Sequence, residues 1–161
     1  MIRAPGLLAG ALLAAACARA SSAAPDGGAA SSVLLERRPC FGTCPVYTVT
    51  VDGSGSVRFE GRRFVADSGT STATVPKARL DSLLAELESA GYFGFAERYG
   101  MDQAGCGRYA TDLPTVVTEV RIHGRVKRVE HDHGCADAPE MLDSLERRID
   151  EVAGVSRWVG R

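Results

Sequence analysis

The chain has 161 residues, a formal net charge of −1 and 24% charged residues. It has no basic excess with which to neutralise phosphates, so nucleic acid is not an expected partner. The length suits one domain with a single core, and no second long apolar run follows the N-terminal one, so no membrane span is expected.

Residues 1–17 read as an export signal. Arg3 supplies one positive charge, and Leu7 to Ala16 form an apolar run too short to cross a bilayer but suited to a signal peptide. Ala14-Ala15-Ala16 place small residues directly before Cys17, an arrangement that resembles a lipobox, in which the thiol is acylated. Ala14 stands where Leu is usual, and a plain cut after Ala18-Arg19-Ala20 is the competing reading, giving a soluble periplasmic protein. Cys17 is the expected lipidation site. The expected location is the cell envelope, on the periplasmic face of the outer membrane rather than the inner one, because Ala18 is not the Asp that retains many enteric lipoproteins. Residues 18–32, almost all Ala, Ser, Gly and Pro, read as a tether with nothing to bury. Residues 33–161 are the expected domain.

Val46 to Val51 alternates as a strand, with Tyr47, Val49 and Val51 on one face. Asp52-Gly53-Ser54-Gly55 is a turn, and Val57 and Phe59 alternate with charged residues beyond it, which completes a hairpin. Thr70 to Val75 reads as a polar edge strand. Pro76 opens a helix whose stripe is Leu80, Leu83, Leu84 and Leu87, and Gly91 is placed to end it. Tyr92, Phe93 and Phe95 cap the core. Gly100 to Pro114 is a long irregular loop, in which Tyr99, Tyr109 and Asp112 are the candidate binding residues. Val116, Val120 and Ile122 share one face of a strand, His123-Gly124 turns the chain, and Val129 and His131 share a face on the return. Pro139 opens a second helix with the stripe Met141, Leu142, Leu145, Ile149 and Val152, and Trp158 is placed to staple the tail. The expected fold is α+β: an antiparallel sheet of about five strands in the order β-β-β-α-β-β-α, with two helices on one face.

Four further cysteines make an even count, which reads as two disulfides in an oxidising compartment. Of the three possible pairings, Cys40–Cys44 and Cys106–Cys135 are expected. Phe41-Gly42-Thr43 can turn between the first two, and the second two fall in loops at neighbouring strand ends. Cys40-x3-Cys44 is one residue longer than a thiol-redox motif and precedes a strand rather than a helix, so it reads as structural.

The segment Arg38-Pro39-Cys40-Phe41-Gly42-Thr43-Cys44-Pro45-Val46-Tyr47 resembles the opening signature of an uncharacterised bacterial family that carries only a domain-of-unknown-function label and often follows lipoprotein signals. Gly53, Gly61, Tyr92-Phe93 and Thr111-Asp112-Leu113-Pro114-Thr115 extend the resemblance over roughly residues 33 to 152. It implies a compact exported domain and brings no activity, ligand or catalytic residue with it. Cys106 and Cys135 are less central to the signature, which fits the pairing above.

His131-Asp132-His133-Gly134-Cys135 is the densest chemistry. Residues i and i+2 of a strand share a face, so both imidazoles can meet one metal, with Cys106 or Cys135 and Asp132 or Asp137 completing a tetrahedral set. An oxidised cysteine pair cannot ligate, and the plain reading is a pair of solvated strand-end histidines beside a disulfide. Asp112 lacks a partner carboxylate or base and reads as a turn residue. There is no nucleophile triad, phosphate loop or dinucleotide fingerprint. The expected protein is therefore a lipid-anchored envelope binding module, without cofactor or catalytic residues, whose partner is an envelope protein or a small ligand. The alternative is a metal-binding protein or hydrolase built on the His131, His133, Cys106 and Cys135 region.

Overall fold

A computed structural model describes Met1 and residues 30–103 and 105–160. The signal segment ending at Cys17, and all but the last three residues of the expected tether, lie outside the described residues. Ser32, assigned by sequence to the tether, instead opens a strand.

Among the described residues the architecture is α+β: one seven-stranded sheet and three helices. The strands are β1 (Ser32–Arg37), β2 (Val46–Asp52), β3 (Ser56–Arg63), β4 (Gly69–Thr74), β5 (Arg98–Tyr99), β6 (Thr115–Ile122) and β7 (Arg125–Asp132). They lie in the order β4-β3-β2-β1-β6-β7-β5, and all neighbours are antiparallel except β5 and β7. The helices are α1 (Lys77–Ser89), α2 (Glu140–Ala153) and α3 (Ser156–Val159), with a single 3-10 turn at Tyr92–Gly94. The sheet thus has two strands more than the sequence pattern suggested, β1 and β5, and α3 is an additional helix. The correction matters most at β1, because this strand is the centre of the sheet.

Alternation decides which face is covered. Val33 and Leu35 on β1, Tyr47, Val49 and Val51 on β2, and Val57 and Phe59 on β3 join Val116, Val120, Ile122 and Val129 in one buried cluster. Leu80, Leu83 and Leu87 of α1 and Leu142, Leu145, Ile149 and Val152 of α2 close over that face. Met141, placed by sequence in the α2 stripe, is instead exposed. Trp158 of α3 stacks on Phe59 with ring centroids 4.9 Å apart, and its carbonyl accepts the Asp67 N–H at 2.9 Å, so the tail is stapled as expected. The opposite face is polar, crossed by the ion-pair chain Arg62–Glu36–Arg38–Glu130–Arg98.

Both disulfides form as paired above, Cys40–Cys44 and Cys106–Cys135. Glycine serves geometry at two positions that matter here. Gly91 follows α1 with φ +72°, a left-handed cap. At Gly61 a Cβ would run into the carbonyl of Asp67, so only glycine lets that loop fold back beside Tyr47. Among the described residues, no helix is long and apolar enough to cross a membrane.

Candidate functional site

One cross-strand row on the covered face is unlike the rest. The registers Gly61↔Tyr47, Tyr47↔Arg37, Arg37↔Val116, Val116↔His131 and His131↔Tyr99 bring Tyr47, Arg37, His131 and Tyr99 into one row, whereas the next row on this face is Phe59, Val49, Leu35, Thr118 and Val129. Helix α2 crosses this row and sets Glu146 and Asp150, one turn apart, against it. Each carboxylate organises its own cluster.

Asp150 holds the first. Its Oδ2 accepts from Arg37 Nε at 2.8 Å and Nη2 at 2.6 Å, and its Oδ1 accepts from the Tyr47 hydroxyl at 2.8 Å. Burial pushes the Asp150 carboxyl above the usual carboxylate range, and Arg37 and Tyr47 offset this only in part. The guanidinium beside it is permanently charged and favours the ionised carboxylate. Burial and the Asp150 charge push the Tyr47 phenol above its usual range, so it remains a donor. Arg37 Nη1 takes no hydrogen bond within the cluster.

This cluster borders a cleft of about 570 Å³. Pro45, Pro114, Val155 and Val159 form its apolar walls, Cys44 also lines it, and Glu151 and Ser156 are its other polar groups. Phe41, at the tip of the disulfide loop, is almost fully exposed, and its N–H is bonded to the Asp112 carbonyl at 3.2 Å. A volume of this size, mostly apolar with a few fixed polar groups, suits a small organic ligand.

Glu146 holds the second cluster. Its Oε1 accepts from His131 Nδ1 and its Oε2 from His133 Nε2, each at 2.8 Å. An ionised carboxylate only accepts, so both imidazoles present N–H to it. The two rings stack with centroids 4.4 Å apart, and Tyr99 meets His131 edge-on at 6.3 Å. Burial opposes ionisation of Glu146, but the two histidine hydrogen bonds outweigh it and hold the carboxyl below its usual range. His131 is 5% exposed and Glu146 1%. The strand-end histidines are therefore not a solvated pair: β7 turns His131 inward beneath α2. His133 is the more open of the two and faces a cavity of about 420 Å³ that also meets Asp143, Ser144 and Arg147.

The other residues singled out by sequence are placed as follows. Cys106 and Cys135 are bonded to each other, which removes both thiolates from any ligand set. Asp132 accepts from the Tyr109 hydroxyl at 2.8 Å and from the Gly134 N–H at 2.9 Å, a turn role. Asp112 sits at φ +73° in its own turn. Tyr99 also accepts the Ala96 N–H. Of the long loop, Pro114 reaches the large cleft, while Tyr99, Tyr109 and Asp112 are outside its lining. Sequence reasoning missed Arg37, Asp150 and Glu146. Glu146 carried a readable signal: four residues after Leu142 and three before Ile149, it falls in the middle of the α2 stripe.

No curated protein matches the chain. A family model does match, over residues 31–153, which span both clusters and end just before α3. The chain belongs to the family described as Domain of unknown function (DUF6438).

Proposed function

We propose that this is a binding module of the cell envelope, anchored through an acylated Cys17, whose cleft takes an amphiphilic small molecule. The ligand has an apolar body against Pro45, Pro114, Val155 and Val159, and a hydrogen-bond-accepting end at Arg37 Nη1. The observation that carries this reading is the meeting of two features. The segment by which the chain resembles its family supplies Cys44, Pro45 and Tyr47 to the cleft, and the same cleft contains the half-buried Arg37–Asp150 pair. Arg37 is balanced by Asp150, so the site favours a neutral or singly anionic acceptor over a phosphate-rich one.

The anchor reading rests on the signal-like residues before Cys17 together with two disulfides, which form and persist in oxidising compartments. The expected tether joins β1 at Ser32, and the cleft lies at the other end of that strand, about 17 Å away. A domain attached this way presents the cleft away from its point of attachment. Two measurements test the proposal. Cys17→Ser should abolish fatty-acid labelling and membrane retention, and a variant still labelled would end the anchor reading. The fluorophore 8-anilinonaphthalene-1-sulfonate has an apolar body and one acceptor group. It should bind once per chain, be lost in Ser156→Trp, which fills the cleft from an exposed position, and be kept in Val126→Trp, at an exposed position on β7. Binding insensitive to Ser156→Trp would remove the cleft as the site.

A further inference from the structure

We propose that His131, His133 and Glu146 form a binding site for one divalent transition-metal cation, with its open coordination position facing the smaller cavity. This rests on none of the residues proposed for ligand binding in the large cleft.

The first argument is charge. Glu146 is 1% exposed, and among the described residues its carboxylate is bonded by His131 and His133, with no Lys or Arg in contact. Arg147 and Arg148, its chain neighbours, are engaged elsewhere, with Asp143 and with Glu86 and Glu151. A buried carboxylate needs a cation, supplied by a protonated ligand or by a metal.

The second argument is donor chemistry and convergence. Two imidazole nitrogens and one carboxylate are the ligand set of open, three-ligand zinc sites and of the facial triad that binds ferrous iron. One candidate donor atom from each of the three residues lies within 4.8 Å of the others. Tetrahedral ligands at zinc bond lengths sit about 3.4 Å apart. The 2.8 Å contacts from His131 Nδ1 to Oε1 and from His133 Nε2 to Oε2 must therefore open by about half an ångström to admit the ion. A metal would replace the two N–H protons now pointing at Glu146, at His131 Nδ1 and His133 Nε2.

The third argument is the surroundings. The other nitrogen of His133, Nδ1, lies 4.0 Å from Asp143 Oδ1. Once Nε2 is metallated, Nδ1 carries the proton and can donate to that carboxylate, the usual support behind a ligating histidine. The cavity of about 420 Å³ at His131, His133 and Asp143 leaves room for water or a ligand in the open position. Cys135 forms part of its wall and is oxidised to Cys106, so neither of these sulfurs is a thiolate donor.

The test is titration of the purified, untagged full chain with cobalt(II), followed by competition with zinc(II). The expected result is one equivalent bound, with visible d–d bands of a low-symmetry site and no thiolate-to-cobalt charge-transfer band. His133→Ala should abolish the bands while the far-ultraviolet circular dichroism stays intact. Asp143→Asn should weaken affinity about tenfold. Glu146→Gln keeps the hydrogen-bonding shape and should also lose the metal, but the other two variants decide the matter if it does not fold. Absence of saturable binding, a thiolate band that assigns the metal to Cys17, or bands unchanged in His133→Ala would each overturn the site.

Discussion

Trp158→Ala tests how the third helix completes the large cleft. Trp158 is 6% exposed and lies flat against Phe59. An indole buries about 200 Å² of surface, or about 5 kcal/mol at 25 cal/mol per Å². A compact unfolded chain and the retained methyl bring this to about 3 kcal/mol, at the low end of Trp→Ala changes in cores. For a domain of this size that is about 10–15 °C in Tm. Val155 and Val159 line the cleft from the same short segment, so undocking it would also remove a wall. The assay is thermal unfolding by circular dichroism, since the substitution removes the only tryptophan, paired with amide exchange over residues 155–160. A Tm within about 3 °C of wild type, with unchanged exchange in this segment, would refute the claim that Trp158 holds α3 to the sheet.

The Cys106–Cys135 bridge closes a loop of about 30 residues, worth about 3.5 kcal/mol by loop entropy against about 2 kcal/mol for Cys40–Cys44. Denaturant midpoints should therefore fall further for Cys106→Ser/Cys135→Ser than for Cys40→Ser/Cys44→Ser, and the reverse order would contradict the entropic account. Glu86 joins α1 to α2 through Arg148 at 2.8 Å, and that hydrogen bond holds its carboxyl below the usual range. A depressed folded pKa gives stability that is present above the unfolded value, about 4.3, and is lost as pH falls through the folded one. Glu86→Gln should cost about 0.5 kcal/mol at neutral pH, as a solvent-screened pair does, and less at about pH 3. A mutant-to-wild-type gap that does not shrink on acidification would argue against the pair.

Local pattern carried the parts of the fold that are local. The β2–β3 hairpin follows from period-two alternation on either side of Asp52-Gly53-Ser54-Gly55, and α1 from leucines at helical spacing ended by Gly91. β1 was hidden because Val33-Leu34-Leu35 does not alternate and follows an Ala/Ser stretch. Its place at the centre of the sheet depends on β6, where Val33 pairs with Val120. β5 is two residues long and exists only because the edge of β7 offers it partners. α3 comes after Gly154, whose left-handed conformation reads as a stop. The site was half legible for the same reason. His131 and His133 announce themselves by i, i+2 spacing, whereas Arg37 and Asp150 meet across 113 positions and neither has a local signal.

The placing of Glu146 and Asp150 on the buried face of α2 makes it possible to separate structure from ligand binding. A helix needed only for packing is served as well by apolar residues there, since replacing buried polar pairs with apolar groups of similar volume is often neutral or stabilising. His131→Leu alone should destabilise by about 3–5 kcal/mol, because it strands a buried carboxylate with one remaining partner. His131→Leu/Glu146→Leu should recover most of that loss, or exceed wild type by about 1–4 kcal/mol, since His133 is open enough to turn to water. Urea unfolding followed by the fluorescence of Trp158 reports both variants. If the double variant is as unstable as His131→Leu or more so, the cluster is a structural staple and its polarity needs no ligand. If stability returns, packing does not account for the two histidines and the glutamate, and the cobalt titration of the wild-type chain and His133→Ala decides whether a cation does.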